Sequence, residues 1–419
     1  MKKTEQILGV ILLIAIVVGG GMIFAAEKSM LYFRLLMGLS LGYALTRAWT
    51  GFAGSINRAY NTGSTALMRA MMLMFFITAI GVSGLLIFKP EGVDYELWIN
   101  PINGGLIIGG ILFGFGMAFS SCCASGVMTD LVTGLPRGLI TLIFFMIGVF
   151  VGFPLQNKYD FIKESWFKSS EGLNGVFLPD WFKFDNLNGY LGAVIFTGVL
   201  CLIVVCIAKN YEEKRRSEGT YLGVETEIFA DKAHTEGTEE AKEYSSILAK
   251  VVTKPWTLKQ GAIALSLIFI VMMAATRAGW GASTPFGIWV GQLLYGLGVP
   301  IESIANFTGH AVDANPFTKP FFAIPVTVQN IGIVLGTLIY LLLDGKFKQV
   351  FTSELKITTR EGLFYALGGL SMGIGTRLAN GCNVGALYTP VANFSLSGWV
   401  FFIVMIVGAV IGNKVFRKK

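Results

Sequence analysis

Charged residues are scarce in this sequence: Asp, Glu, Lys and Arg make up only 14% of its 419 residues. A soluble domain carries about 25%, so there are too few charges here to cover a water-facing surface. Several long stretches carry no charge, among them six that are each close to or longer than the roughly 20 apolar residues that cross a bilayer. These six are 6–26, 70–88, 138–157, 186–208, 321–343 and 378–413. The sequence therefore excludes a soluble protein and predicts an all-α polytopic membrane protein.

Metal-binding residues are scarce as well, with only five cysteines and two histidines in the chain. The cysteines form no C-x-x-C pair, so a structural zinc site or a dithiol redox centre is not indicated. We expect no metal and no cofactor. Cys201 and Cys206 lie in a plain apolar stretch, where cysteine behaves as a small hydrophobic residue that fills the packing.

The distribution of charge divides the chain into three parts. An N-terminal membrane half, 1–208, precedes a charged linker, 209–259, and a C-terminal membrane half, 260–419. The first apolar run is longer than that of a signal peptide, so it is interpreted as a retained helix. Six spans are predicted before the linker: 7–26, 32–50, 66–88, 104–121, 138–156 and 189–208.

Lys and Arg predict the orientation, because cytoplasmic loops of membrane proteins are enriched in them. Lys2 and Lys3 open the chain, the linker is rich in Lys, and Arg417, Lys418 and Lys419 close it. An even number of spans before the linker places all three segments in the cytoplasm. The net charge of +7 then reflects topology, and no nucleic-acid partner is expected.

The two membrane halves share a pattern of glycines and one cysteine. Residues 109–116 align with 368–375, and in the same register Cys123 meets Cys382 and Gly126 meets Gly385. After a one-residue insertion, three further glycines match at 138, 148 and 152 against 398, 408 and 412. A cysteine held in register among many glycines indicates an internal duplication.

The repeat and the topology together predict inverted halves. The first repeat covers about 32–156, and its mates in the second half run in the opposite direction, provided that 286–298 does not cross fully. Inverted repeats are typical of transporters, which bind substrate near the midplane at broken helices. The fold predicted is therefore two inverted-topology repeats with short broken or re-entrant helices at the centre.

The cysteine motifs at 120–126 and 379–385 are the predicted substrate pathway. Each follows a glycine-spaced helix and precedes a second break, so each suits an intramembrane turn against a polar cavity. Thiol, hydroxyl and amide groups would line that turn. The candidates are Cys123, Cys382, Cys122, Ser121, Asn380, Asn383, Gly126 and Gly385.

Three arginines add positive charge to the candidate pathway. Arg47 and Arg277 are repeat mates in otherwise apolar segments, and Arg377 stands five residues before Cys382. An arginine inside a membrane is costly and indicates a functional site. The alternative is that the side chain extends from a helix end to the interface, which remains open for Arg47 and Arg277. Arg377 is predicted to attract an anion toward Cys382.

The two cysteine motifs, the 51–54 stretch Gly-Phe-Ala-Gly and the Asn-Arg-Ala-Tyr at 57–60 resemble the YeeE/YedE family of sulfur-transport membrane proteins, most closely its YedE branch in selenium metabolism. The resemblance implies a bacterial inner-membrane permease for thiosulfate, selenide, selenite or a related small anion. Its motif cysteines carry over to Cys123 and Cys382. It also suggests a cytosolic sulfur carrier of the TusA type as a partner. Relatives often carry a third cysteine where this chain has Ala53.

A membrane-embedded sulfurtransferase is the alternative function. It would form a persulfide on Cys123 or Cys382 and pass the sulfur to a cytosolic acceptor. Such an enzyme needs an accessible thiol with a lowered pKa beside a cation or base. Arg377 could serve Cys382, whereas Cys123 has only Arg137 nearby in sequence. Transport is therefore favoured, and the protein is predicted not to be an enzyme.

Overall fold

The structure, a computed structural model, describes residues 2–24, 29–169, 172–312 and 315–417. Regular structure within these ranges is helical, and strand-like pairing within them is limited to two isolated β-bridges. The polytopic helical class predicted from the sequence is therefore confirmed. The predicted cytoplasmic position of Lys418 and Lys419 concerns residues outside the described ranges.

In the described residues, nine α-helices form the first half and three short α-helices lie in the linker. In chain order they are α1 Lys2–Phe24, α2 Ser29–Arg47, α3 Phe52–Thr62, α4 Ala66–Ile87, α5 Gly104–Ser120, α6 Gly126–Thr133, α7 Leu135–Lys158, α8 Asp160–Lys163, α9 Tyr190–Ser217, α10 Glu225–Ala233, α11 Glu239–Glu243 and α12 Ile247–Val252. Helix α1 contains a π-helical turn at Ala15–Gly19.

Eight α-helices form the described part of the second half. They are α13 Leu258–Thr276, α14 Thr284–Gly296, α15 Ile301–Thr308, α16 Pro325–Asp344, α17 Phe347–Ser353, α18 Thr359–Leu378, α19 Thr389–Ala392 and α20 Leu396–Arg417. A π-helical turn at Asn383–Tyr388 precedes α19. Helix α14 has 13 residues and rises about 20 Å, too short for a full crossing.

Seven helices of the described ranges are long and apolar enough to cross a membrane: α1, α4, α7, α9, α13, α16 and α20. Each of the six spans predicted before the linker corresponds to one helix: α1, α2, α4, α5, α7 or α9. Helices α2 and α18 are of similar length but less apolar, and α5 has 17 residues.

Helix ends follow local capping chemistry. The Asn103 side chain accepts a hydrogen bond from the backbone N–H of Leu106 at the start of α5, which satisfies one of the free donors of the first turn. Capping boxes begin α13 at Thr257 and α18 at Thr358. Gly345 ends α16 with a left-handed φ of 69°.

The helices pack in a small set of extensive pairs. Helix α5 contacts α18 and α20, α18 also contacts α7, α2 contacts α16, and α4 contacts both α13 and α9. Helix α1 packs on α16 at the periphery, and only 11% of the residues in its most apolar part are buried. The core therefore centres on α5 and α18, the two glycine-spaced helices that precede the cysteine motifs.

The linker packs against one end of the helix bundle, which we call the linker face. The Tyr43 hydroxyl donates to the Val252 carbonyl, and Arg58 forms an ion pair with Glu227 at 2.9 Å. Lys2 Nζ lies 3.0 Å from Glu243, so α1 begins at the same face. The charged linker predicted from the sequence thus forms three short helices, which are held against the membrane helices.

Candidate functional site

Glycines bring α5 and α18 into backbone contact. A methyl group on Gly109 would meet the Gly375 carbonyl oxygen, and one on Gly116 would meet that of Gly368. Because the residue numbers rise along one helix as they fall along the other, the helices cross antiparallel. Small residues are what permit such close approach in a membrane. The crossing leaves the two cysteine motifs at opposite ends of the contact.

The first cysteine segment, 120–126, turns the chain out of α5. Ser121 adopts a left-handed φ of 56°, which ends the helix. The backbone N–H of Val127 then donates to the Cys123 carbonyl at 2.7 Å. Cys123 Sγ lies 3.4 Å from Ser125 Oγ. The short helix α6 begins at Gly126, so the break predicted after α5 is present.

The second cysteine segment, 379–385, repeats this geometry after α18. Asn380, the repeat mate of Ser121, has a left-handed φ of 58°. The N–H of Ala386 donates to the Cys382 carbonyl at 2.6 Å, as Val127 does to Cys123. Cys123 and Cys382 are 1% and 0% exposed and belong to one hydrophobic core. The matched sequence motifs therefore form matched turns.

A cavity of about 630 Å³, here the cysteine cavity, reaches the first segment from the linker face. Ser121, Cys122, Cys123, Ser125 and Gly126 line one end of it, and Ala53 lies on its wall.

Charged groups of the cysteine cavity are paired with one another. Arg137 contacts Asp130 at 3.2 Å and Glu354 at 2.8 Å, and Lys346 contacts Asp344 at 3.4 Å. Together with Arg58, three bases face three acids along the wall. The cavity is therefore roomy but nearly neutral, which disfavours strong retention of an anion.

Arg377 lies beside the second cysteine segment and is 4% exposed. Its guanidinium donates to Ser283 Oγ at 3.1 Å and more weakly to Gln156 and Thr284 at 3.4 Å. Within the described ranges no carboxylate pairs with it, and its Nε–H has no hydrogen-bond partner. A buried, uncompensated cation is costly and favours an anion nearby.

Ser283 connects this arginine to the cysteine. The Ser283 hydroxyl, which accepts from Arg377, and the backbone N–H groups of Val384 and Gly385 all lie near the Cys382 thiol. The sequence analysis missed Ser283, which is distant along the chain and sits in a turn with no distinctive motif. The structure therefore joins three donors and one thiol at a single point.

The remaining polar candidates lie at the second segment. Asn380 Oδ1 accepts from Gln156 Nε2 at 2.6 Å. The Asn383 amide nitrogen lies 3.2 Å from Met117 Sδ on α5, whereas its Oδ1 is buried without a partner. Gln156 therefore links Asn380 to Arg377, whereas Asn383 and Gly385 follow Cys382 in the same segment.

Arg47 and Arg277 lie apart from the cysteines. Arg47 donates to the linker carbonyls of Lys254 and Lys250, at 2.8 Å and 3.2 Å, and stacks on Trp256. Arg277 is exposed at the end of α13, at the face opposite the linker. Both positions match the alternative of a helix-end anchor that the sequence left open.

A buried arginine that the sequence analysis missed is Arg34 in α2, which is 8% exposed. It donates to Gln329 Oε1 on α16 at 2.8 Å, and its Nε–H has no partner. Its isolation among apolar residues was the available signal.

Among the other cysteines, Cys201 is buried and Cys206 exposed on α9, away from the cavity. In the described residues no cluster of metal-binding side chains occurs.

The helical bundle, with its paired helix breaks around buried thiols, is that of a polytopic membrane protein. The chain belongs to the sulphur transport family, which matches residues 47–411. This confirms the resemblance found in the sequence.

The relatives are distant in sequence but similar in length. The thiosulfate transporter TsuA of Escherichia coli is 22% identical over 91% of this chain and 93% of its own length. TsuA of Spirochaeta thermophila is 23% identical over 90% of this chain and 97% of its own. The probable transporter YedE of Escherichia coli is 27% identical over 38% of each chain.

Proposed function

We propose that this protein is a permease that imports a small sulfur anion, with thiosulfate as its first candidate substrate. The observation that carries the proposal is the pair of matched helix breaks that bury Cys123 and Cys382 in one core. The cysteine cavity reaches the first of these breaks. The full-length relatives named as thiosulfate transporters support the choice of substrate. Selenide and selenite remain proposed alternatives, since the YedE likeness covers part of the chain.

Inverted repeats are part of this proposal. In the proposed repeat, α5 corresponds to α18, α20 to α7, α2 to α13 and α16 to α4. Accordingly, α5 packs on α20 as α18 packs on α7, and α2 packs on α16 as α13 packs on α4. If α1 corresponds to α9, the packing of α1 on α16 also matches the packing of α9 on α4. The mates α5 and α18 run in opposite directions, as inversion requires. This pattern also extends the proposed first repeat from 32 back to α1.

We assign the linker face to the cytoplasm and the membrane to the bacterial inner membrane. Lys214, Arg215 and Arg216 end α9 at that face, and Lys2 lies there too. The segment between α4 and α5, at the other face, contains Glu91, Asp94 and Glu96. This distribution follows the positive-inside rule. The cysteine cavity then opens to the cytosol.

In the proposed pathway an anion reaches the second cysteine segment first. Arg377 and Ser283 attract and orient it, and the donors around Cys382 replace part of its hydration. The anion then passes the crossing of α5 and α18 and reaches Cys123. From there it leaves the protein through the nearly neutral cysteine cavity. Weak sites in series allow both binding and release. A neutral S–H group is a weak donor and a polarisable neighbour for sulfur.

We propose transport rather than sulfur transfer by an enzyme. Cys382 is 0% exposed and Cys123 is 1% exposed, so neither thiol presents itself to an acceptor protein. A TusA-type carrier remains a proposed receiver of the anion at the linker face. A persulfide trapped on either cysteine after incubation with thiosulfate would instead support the sulfurtransferase.

Uptake of labelled substrate tests the proposal. Cells that lack other importers should take up radiolabelled thiosulfate when they express this chain and not when they carry an empty vector. Selenite and sulfate, supplied separately and as competitors, define the specificity. Equal uptake with and without the protein, at matched membrane expression, would refute the function.

A further inference from the structure

A second cavity, here the linker cavity, lies at the linker face and has a volume of about 840 Å³. Its floor is apolar and comes from the ends of three membrane helices. Ala70 and Leu73 belong to α4, Val205 to α9 and Leu258 to α13. Helix α4 packs against both neighbours, so the cavity continues the groove between α9 and α13.

The walls of this groove face outward. Leu202 and Ile207 on α9 are each 64% exposed, and Leu267 on α13 is 55% exposed. Exposed apolar side chains on membrane helices contact acyl chains. Helices α9 and α13, which border the cavity, therefore present apolar side chains to lipid, and the linker lies at its top.

The rim of the linker cavity is basic. Five bases face three acids there: Arg58, Arg69, Lys209, Arg216 and Lys259 against Glu212, Glu227 and Asp231. The acids are largely compensated, because Glu212 contacts Arg69 at 3.2 Å and Arg216 at 2.8 Å, and Glu227 contacts Arg58.

Two lysines on this rim remain unpaired. Lys209 ends the apolar part of α9 and Lys259 begins α13, and both are exposed. In the described part of the chain neither has a carboxylate within 4 Å. They lie at the linker-face ends of their helices, at the boundary between the apolar spans and the linker. The uncompensated charge of this cavity is therefore positive and adjoins an apolar channel.

We propose that the linker cavity binds an anionic phospholipid, with its phosphate between Lys209 and Lys259 and an acyl chain in the groove between α9 and α13. Basic pockets between membrane helices on the cytoplasmic side recognise such headgroups. A free phosphate ion would use the lysines but gain nothing from Leu73, Val205 and Leu258. The proposal takes the linker face as cytoplasmic but does not require sulfur transport.

The lipid would also influence the cysteine cavity. Trp49, Arg58 and Thr226 line both cavities, and Arg58 holds α10 through Glu227 and donates to the Trp49 carbonyl at 2.8 Å. A bound headgroup would stabilise α10 in this position. Anionic lipid therefore supports the linker that borders the proposed exit.

The test compares lipid binding by the full-length protein and two double variants. Purified protein in neutral detergent is titrated with phosphatidylglycerol carrying brominated acyl chains, and quenching of tryptophan fluorescence is measured. Lys209→Gln with Lys259→Gln should weaken binding roughly 25-fold, since each lysine near an anionic headgroup contributes about fivefold. The matched control is Lys348→Gln with Lys356→Gln, two exposed linker-face lysines outside the cavity.

Two further ligands separate lipid from phosphate. Brominated phosphatidylcholine should quench weakly and equally in all three proteins, and inorganic phosphate should not displace phosphatidylglycerol at millimolar concentration. Equal binding of the two lipids by the unaltered protein would overturn the proposal. So would displacement by phosphate alone, or equal losses in the cavity and control variants.

Discussion

The two cysteine segments have the same backbone geometry but different electrostatic surroundings. Cys123 borders a cavity whose bases and acids are paired. Cys382 lies in a tight polar cluster with a buried arginine that no carboxylate of the described residues compensates. In the repeat register Arg377 corresponds to Ala118, and Gly152 and Gly412, themselves repeat mates, face these two residues. The two segments therefore share the turn and the thiol, as the proposed duplication expects, and differ in that charge lies beside one of them only.

This difference indicates a direction for the pathway. An attractive site raises the local concentration of an anion, whereas a neutral cavity lets it leave. The segment with Arg377 is therefore the proposed entrance and the segment with the cysteine cavity the exit. The predictions below remove first what the two segments share and then what separates them.

Removing either matched thiol should have the largest effect. Cys123→Ala and Cys382→Ala should each lower thiosulfate uptake about tenfold or more, as expected if about 1.4 kcal/mol of stabilisation along the path is lost. Uptake by cells is measured at equal membrane expression. The matched controls are Cys201→Ala and Cys206→Ala on α9, which should transport normally.

Serine at the same two positions separates hydrogen bonding from the chemistry of sulfur. It keeps a donor but replaces a polarisable sulfur with a better hydrated oxygen. Retained uptake in the Ser variants would assign a hydrogen-bonding role, and lost uptake would assign a role to sulfur itself. Normal uptake in both Ala variants would contradict the two-thiol pathway.

Arg377→Ala should weaken uptake at low substrate more than at saturation. The expected change is a rise of about tenfold in the half-saturating concentration, because the charge acts by attracting the anion. Arg377→Lys should restore part of the loss if charge is sufficient, and little if the guanidinium geometry is needed. Arg47→Lys, which keeps the charge of the linker anchor, is the control. An unchanged uptake curve for Arg377→Ala would make that residue a structural anchor.

Unbalancing the exit should have a smaller effect. Glu354→Gln removes one acid from the cysteine cavity and leaves Arg137 with Asp130 alone. The added positive charge should slow release and lower maximal uptake about twofold, the scale of an exposed ion pair. Initial rates at saturating thiosulfate measure it, with Glu302→Gln, distant from the cavity, as control. Faster maximal uptake would argue against a charge-neutral exit.

The smallest expected change comes from Ala53→Cys. This substitution places a thiol on the wall of the cysteine cavity. Uptake should stay within about twofold, since the volume added is small and Cys123 already serves the exit. Rescue of Cys123→Ala by Ala53→Cys would show that the two positions are interchangeable.

Local patterns predicted the helices and both breaks. Long uncharged runs set the spans, and the glycines with Cys123 and Cys382 marked the turns, because those signals depend on neighbouring residues. The sequence also marked Arg377, but not its contacts with Ser283 and Gln156, which depend on how α7, α14 and α18 pack. For the same reason the carbonyl groups that hold Arg47 and the position of Arg34 against Gln329 were not predicted.

Transport by the purified protein tests the central claim most directly. Proteoliposomes containing this chain should accumulate radiolabelled thiosulfate, and those containing Cys123→Ala with Cys382→Ala should match protein-free vesicles. A protein that reconstitutes in folded form and carries no thiosulfate, or carries it equally without either thiol, would contradict a sulfur-anion pathway through the paired cysteine segments.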